Sequence, residues 1–471
     1  MIDGLRRSGP LTAGPRLWWA IAAILLLSAF FGFFAHPVWL GLIVGAIVAI
    51  AIAMRPTWGL LGMVVAALLV PLQFSTGTEV KINTVTLLTP ALMGVWLLYA
   101  LRTQNLHLAP SRANRPLWLF LLCGLFSLLV GIVYWDPSVP RPAHFTIVQL
   151  AQWAIFAFSA GAFWLTGNLV HEEVWLRRLT YLFLAIAGSL AILLLAPGGF
   201  TLAGRIATFA LFRAPFWLLL TALAGGQLLF RRGMAIGWRL FLLASLFAAL
   251  VYAFGLQRER VSNMMAVSAT LVALIALRWP RLRWPFIILI VIGLIVFFPT
   301  LYQFAGGDAK WEESGGSRLV LIQRVVELTM RNPVTGLGPA AYRQYGKTQS
   351  LSYAGAYYSS IWLSSHNNYV DLFSHTGLFG LGLFLWFALE MIGVGWRLRA
   401  RYTEGFAASY VNAMLAAWVG ALAIMLLADW VLPFVYNIGF LGFQASVLLW
   451  LFLGGLVALE QMGNKGPVKQ G

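Results

Sequence analysis

Charge is the scarcest commodity in this chain: Asp, Glu, Lys and Arg together make up 10% of its 471 residues, against roughly a quarter in a soluble domain. That scarcity, with 61% apolar residues and a mean hydropathy of +0.83, excludes a water-soluble globular protein. Cysteine is almost absent. The one thiol, Cys123, lies inside an apolar stretch, so a disulfide framework and a cysteine-rich metal site are excluded and core packing is expected. The histidines His36, His107, His144 and His171 stand without metal-ligand spacing, and His375 follows His366 by about two and a half helical turns, too far to share a small ion. No metal and no cofactor are expected. There is no repeat of fixed period, no low-complexity tract and no soluble domain. Gly377, Gly380 and Gly382 read as close-packing positions between membrane helices, not as a phosphate loop.

What remains is apolar runs. A bilayer core takes about 20 apolar residues per helix, and the sequence predicts an all-α polytopic membrane protein of about 12 to 14 spans on that basis. Leu17 to Ala35 reads as the first anchor, because no small-residue cleavage site follows a short apolar core. Acids are few, and the net charge is +17. A nucleic-acid partner is nevertheless not expected, because the basic residues recur as short clusters between spans. With both termini placed in the cytoplasm, 20 of the 32 Lys and Arg residues fall on the cytoplasmic side. On the outer side, outside the longest loop, Lys81, Arg141, Arg205, Arg213, Arg258 and Arg260 call for another explanation.

One polar insertion, 304–366, separates an amino-terminal set of spans (1–303) from a carboxy-terminal set (367–471). Within it, 317–330 has helical apolar spacing at Leu319, Ile322, Val326 and Thr329, the pattern of a short amphipathic helix at a membrane face. Asn332-Pro333 ends it. Tyr342, Tyr345, Tyr353, Tyr357 and Tyr358 then serve either as interfacial anchors or as surfaces on which sugars stack. The insertion closes on Ser-Ser-His-Asn-Asn at a span's mouth. His366 there is either a general base, with an ordinary pKa of about 6.5, or, with Ser365 and Asn367, part of a helix cap. Arg258, Arg260 and Arg318 are either snorkelling or ion-paired side chains, or a bidentate anion site beside that imidazole. Asp371, Glu390 and Asp429 stand where a carboxylate at membrane depth is costly and often functional.

Three segments carry a resemblance: Arg318 with its helix, Asn332-Pro-Val-Thr-Gly-Leu-Gly-Pro-Ala-Ala-Tyr342, and His366-Asn-Asn-Tyr-Val-Asp-Leu-Phe-Ser-His-Thr-Gly-Leu-Phe-Gly-Leu381. Over roughly the carboxy-terminal half, the chain resembles the O-antigen ligase and polymerase superfamily of bacterial membrane glycosyltransferases. The resemblance implies an undecaprenyl-diphosphate-linked glycan as donor, a lipid A core sugar or another glycan as acceptor, and an active site at the periplasmic face of the inner membrane. It makes His366 the catalytic base and puts Arg318, Arg260 or Arg258, and Asn367 at the donor diphosphate. The Gln257-Arg-Glu-Arg-Val261 context lacks the Ser and Gly that flank the family arginine, and His375 replaces a glutamate carried by many members. A ligase is the leading reading. A polymerase on the same carrier shares its motifs, and a protein O-oligosaccharyltransferase is a third member of the class. A transporter using Asp371, Glu390 and Asp429 would place its polar residues at the bilayer midplane, whereas here they cluster at one edge. A purely structural scaffold leaves the outer arginines without a role.

Overall fold

The computed structural model describes residues 55–75, 81–104, 107–257, 260–281, 316–348 and 363–464, with short stretches at 284–285, 351–353 and 356–358 and single residues 288, 292 and 296. Arg258 and the anchor at 17–35 lie outside the described residues. The chain is an all-α polytopic membrane protein. Its helices are α1 (Pro56–Leu69), α2 (Thr84–Arg102), α3 (Asn114–Val133), α4 (Phe145–Leu169), α5 (Glu173–Leu193), α6 (Gly199–Ile206), α7 (Ala214–Phe230), α8 (Ile236–Val251), α9 (Val261–Arg278), α10 (Gly316–Thr329), α11 (Tyr342–Tyr345), α12 (Asn368–Arg401), α13 (Gly405–Ile424) and α14 (Gly439–Asn464). Two antiparallel hairpins accompany them, β1 (Gln73–Ser75) with β2 (Lys81–Asn83) and β3 (Leu351–Tyr353) with β4 (Ala356–Tyr358). Among the described residues, nine helices are long and apolar enough to cross a membrane, and α1 and α7 are shorter apolar helices.

α14 lies at the centre, packed chiefly on α4. The two backbones approach closely because Gly454 faces the Phe163 carbonyl and Gly167 faces Val457, the small-residue contact that lets membrane helices associate without a hydrophobic driving force. Trp217, Trp418 and Trp450 are fully enclosed. The Trp418 and Trp450 indoles donate to the Ala388 and Val431 carbonyls, as buried indoles require.

Among the described helices α12 is the longest. Its 34 residues span about 51 Å at 1.5 Å per residue, against a hydrocarbon core of about 30 Å. Its far end carries Arg397, Arg399 and Arg401, and Arg231, Arg232, Arg239 and Arg278 gather with Glu404 around a cavity beside it. Gly377 breaks the helix with φ 69° and ψ −173°. The break frees backbone groups, and the turn after α10 satisfies them. Leu378 and Phe379 N–H donate to the Pro333 and Val334 carbonyls at 2.9 and 3.2 Å, and Leu337 N–H donates to the Ser374 carbonyl at 2.8 Å. Only glycine fits here, because a Cβ on Gly377 would collide with the Val334 carbonyl and one on Gly336 would stand 2.6 Å from Gly377 N. The Asn-Pro-x-x-Gly-x-Gly turn is thus a plug for a broken membrane helix.

Candidate functional site

Two consecutive asparagines fix the mouth of α12. Asn367 caps it, its Oδ1 accepting from Tyr369 and Val370 N–H at 3.0 and 3.1 Å while its Nδ2 donates to the Leu426 carbonyl at 2.9 Å. Asn368 is buried. Its amide donates to the Leu432 carbonyl at 2.7 Å and accepts from Val431 and Leu432 N–H at 3.0 and 3.2 Å. Together the two asparagines staple the loop between α13 and α14 onto the start of α12. Asn367 thus makes the cap, through both acceptor sites of Oδ1 and one of the two hydrogens of Nδ2.

His366 is left free of that duty. It adopts a left-handed backbone, φ 49°, a region where histidine is enriched among non-glycine residues but which still carries strain of order 1–3 kcal/mol. Its half-buried ring meets the stapled loop, with Nδ1 3.3 Å from Asn437 Nδ2. The same amide nitrogen donates to both Asp429 oxygens at 2.9 and 3.1 Å. Nε2 has no protein partner among the described residues. Burial lowers the imidazole pKa from its ordinary 6.5; Asp429 opposes that and Arg318 reinforces it. The Asp429 carboxyl is raised by burial, opposed by His366 and by the Phe434 N–H bond at 3.1 Å.

Arg318 arrives from α10. The buried side of that helix is Leu321, Val325, Leu328 and Thr329, while Leu319 is 56% exposed. The inward face is thus rotated from the expected Leu319–Ile322–Val326–Thr329 stripe, and Arg318 begins it. Its guanidinium donates to the Leu427 carbonyl at 3.1 Å and acts electrostatically on both His366 and Asp429. Burial lowers its pKa and Asp429 raises it.

A second cationic group converges on the same loop. Arg213, between a 3-10 turn (Phe209–Phe212) and α7, lies over the Phe209 ring at 4.0 Å and the Trp430 ring at 5.2 Å. Its Nε is buried without a hydrogen-bond partner. Burial and then the neighbouring Arg260 pull its pKa down to about 10, so at neutral pH it remains charged beside another cation. Arg260 itself donates to Gln257 Oε1 at 2.7 Å. Two part-compensated guanidinium groups side by side, with no carboxylate ion pair between them or to them among the described residues, form a natural place for an anion.

The three carboxylates part company. Asp429 belongs to the loop. Asp371 is buried in the first turn of α12, accepting from Tyr342 Oη at 2.9 Å and Ser365 Oγ at 2.7 Å, so it supports the bend that precedes His366. Glu390 accepts from Trp386 Nε1 at 3.2 Å. Among the described residues no hydrogen bond links the three. Tyr342 is core, stacked on His375 and Phe434 at 5.6 and 4.7 Å, and His375 is fully enclosed, with Nδ1 accepting from Ala340 N–H at 3.3 Å. Among the described residues no group of three or more His, Cys, Asp or Glu side chains could hold a metal ion.

Arg213, Asp429 and Asn437 are the members that sequence reasoning missed as a set. The available signal was Arg213 as an unexplained outer arginine, and Asp429 and Asn437 flanking Pro433 between two spans.

Residues 243–385 match the family model described as O-Antigen ligase, a stretch that holds Arg260, Arg318, the plug turn, His366 and the break in α12. No curated protein matches the chain. The match supports the O-antigen ligase and polymerase superfamily, and an O-antigen ligase or polymerase type of membrane enzyme.

Proposed function

We propose that this protein is a metal-independent glycosyltransferase of the O-antigen ligase type, moving a polysaccharide from undecaprenyl diphosphate to a lipid A core sugar hydroxyl. It acts at the periplasmic face of a bacterial inner membrane, with both termini in the cytoplasm. The observation that carries this reading is the pairing of a neutral, part-buried imidazole, His366, with the Arg318 guanidinium on one loop.

The chemistry asked of the protein is modest. A diphosphate is already a good leaving group, so the site must neutralise its charge and take one proton from the attacking alcohol. Arg318 supplies charge beside His366, and Arg213, over Trp430 with Arg260 near it, supplies more at the same loop; fixed guanidinium groups can serve where a metal otherwise would. The acceptor oxygen forms its bond to the anomeric carbon as that carbon's bond to the phosphate oxygen breaks. The diphosphate leaves with the electron pair, and the hydroxyl proton passes to His366. A single displacement inverts the anomeric configuration.

For Nε2 to take that proton, Nδ1 must carry the other one. The Asn437 amide makes this possible by turning end for end, so that its oxygen accepts from Nδ1–H; a protonated Asp429 then donates to the same oxygen. Burial, which raises the Asp429 pKa, favours that state.

The test is transfer by purified protein in chelator-treated lipid nanodiscs, from an undecaprenyl-diphosphate glycan to lipopolysaccharide core. Loss of a general base costs about 10²- to 10⁴-fold, so His366→Ala is expected to lose that much with an unchanged unfolding temperature. Transfer at the wild-type rate by His366→Ala would refute the base assignment. Transfer only onto carrier-linked glycan would make the enzyme a polymerase.

A further inference from the structure

A second cavity opens on the same face as His366, and nothing in the transfer chemistry uses it. It has a volume of about 530 Å³ and lies between the end of α3 and the plug turn, lined by Tyr134, Asp136, Arg331, Asn332, Thr335 and Tyr345 over a floor of Val130, Gly131 and Leu337. Its walls are fixed. Arg331 Nη1 and Asp136 Oδ2 form an ion pair at 2.7 Å, Asp136 N–H donates to Tyr345 Oη at 3.3 Å, and Thr335 Oγ1 donates to Asn332 Oδ1 at 3.0 Å. The Tyr345 ring is held between Trp135 at 4.9 Å and the Arg331 guanidinium at 5.4 Å. Tyr134, by contrast, is 77% exposed at the rim.

The character of the lining selects a ligand class. Among the described lining residues the one cation is paired with the one carboxylate, so they offer no net charge to a phosphate, and guanidinium groups without a carboxylate ion pair among the described residues stand elsewhere, at Arg213, Arg260 and Arg318. A lipid tail would cover the carboxylate, amide and hydroxyl without replacing their bonds to water, which is unfavourable. An open tyrosine ring, Tyr134, beside a carboxylate, a guanidinium and an amide suits a neutral ligand with apolar faces and hydroxyl edges, which is a sugar. The cavity is also tied mechanically to the catalytic loop. The turn that forms its wall plugs α12 at Gly377, 11 residues beyond His366, or about 16 Å along the axis, far enough for a short run of sugar rings to reach from one to the other.

We propose that this cavity is the subsite that holds the acceptor glycan, several sugars away from the hydroxyl that reacts at His366. This rests on the glycosyltransferase reading, but its failure is separable from that reading's failure. The experiment measures binding of core oligosaccharide, released from lipopolysaccharide by mild acid, to the full-length protein in nanodiscs by tryptophan fluorescence, beside transfer kinetics. Removing an aromatic stacking surface is expected to weaken binding about three- to tenfold. Tyr134→Ala, exposed and so harmless to folding, and Arg331→Gln should each show that loss and a matching rise in acceptor KM, with donor KM unmoved. Oligosaccharide bound by wild type and lost by these variants, with no transfer from undecaprenyl diphosphate, would uphold the subsite and overturn the proposed reaction. Transfer with unaltered oligosaccharide affinity and acceptor KM in both variants would overturn the subsite and leave the reaction. Competition by lipid A stripped of its core sugars, at the same affinity, would also overturn it.

Discussion

At the scale of single residues, the base proposed at His366 depends on what surrounds it. Burial and the Arg318 charge both disfavour the imidazolium, and Asp429 favours it; the net direction is downward, so the ring is neutral and able to accept a proton at pH 7. A base works only when unprotonated, so kcat/KM should fall as pH drops through the lowered pKa, with an acid limb centred below 6.5. Arg318→Gln removes a cation that lowers that pKa, so the limb should move to higher pH, whatever the variant loses in absolute rate. A pH–rate profile checks this, and a limb that stays put or moves lower would show that Arg318 does not act on His366. His366 and Arg318 were legible in the sequence because each sits in a short local pattern. Asn437 was not, and Asp429 stood out only as a carboxylate at membrane depth, since both reach His366 from 63 residues or more along the chain, and a burial-driven shift cannot be read from residue type. Asn367 could be read as a cap or as a ligand, and its hydrogen bonds show the cap.

At the scale of elements, the break in α12 and the turn that fills it form one device. The sequence showed both halves, an Asn-Pro-x-x-Gly-x-Gly turn and a glycine-rich helix start, yet gave no reason for their association; periodicity describes one element at a time, whereas this fit is between two. The α10 face went astray for a related reason. Helical spacing permits both the 319–322–326–329 stripe and the 321–325–328 stripe, and packing against α12 selects the second, which turns Arg318 inward. Gly377→Ala should disrupt the device. Left-handed backbone costs an L-residue roughly 1–2 kcal/mol, and the added Cβ also overlaps the Val334 carbonyl. Thermal unfolding in nanodiscs should therefore show a lowered midpoint for Gly377→Ala and none for Gly382→Ala, which meets nothing within 4 Å on the same helix. Equal midpoints would mean that the plug contributes no stability.

At the scale of the whole molecule, the bundle brings distant polar groups to one loop. The 425–438 segment takes Arg318 at Leu427, Arg213 at Trp430, Asn368 at Val431 and Leu432, Gln152 at Pro433 and Val435, Arg343 at Tyr436 and His366 at Asn437. Hydropathy made the helical class legible, because apolar length is a local quantity. It could not reveal that a short loop around Pro433 is the hub, because loops acquire their role from the elements they join. The same hub gathers arginines from distant parts of the chain, Arg213 over Trp430 with Arg260 near it and Arg318 on the Leu427 carbonyl.

The convergence of these cations with His366 on a diphosphate is open to direct observation. A cryo-EM structure of the protein in nanodiscs loaded with undecaprenyl diphosphate should show the phosphates against Arg318 and the Arg213–Arg260 pair, with His366 Nε2 facing open space beside them. Phosphates seated away from all three arginines, or Nε2 closed into packing, would contradict it.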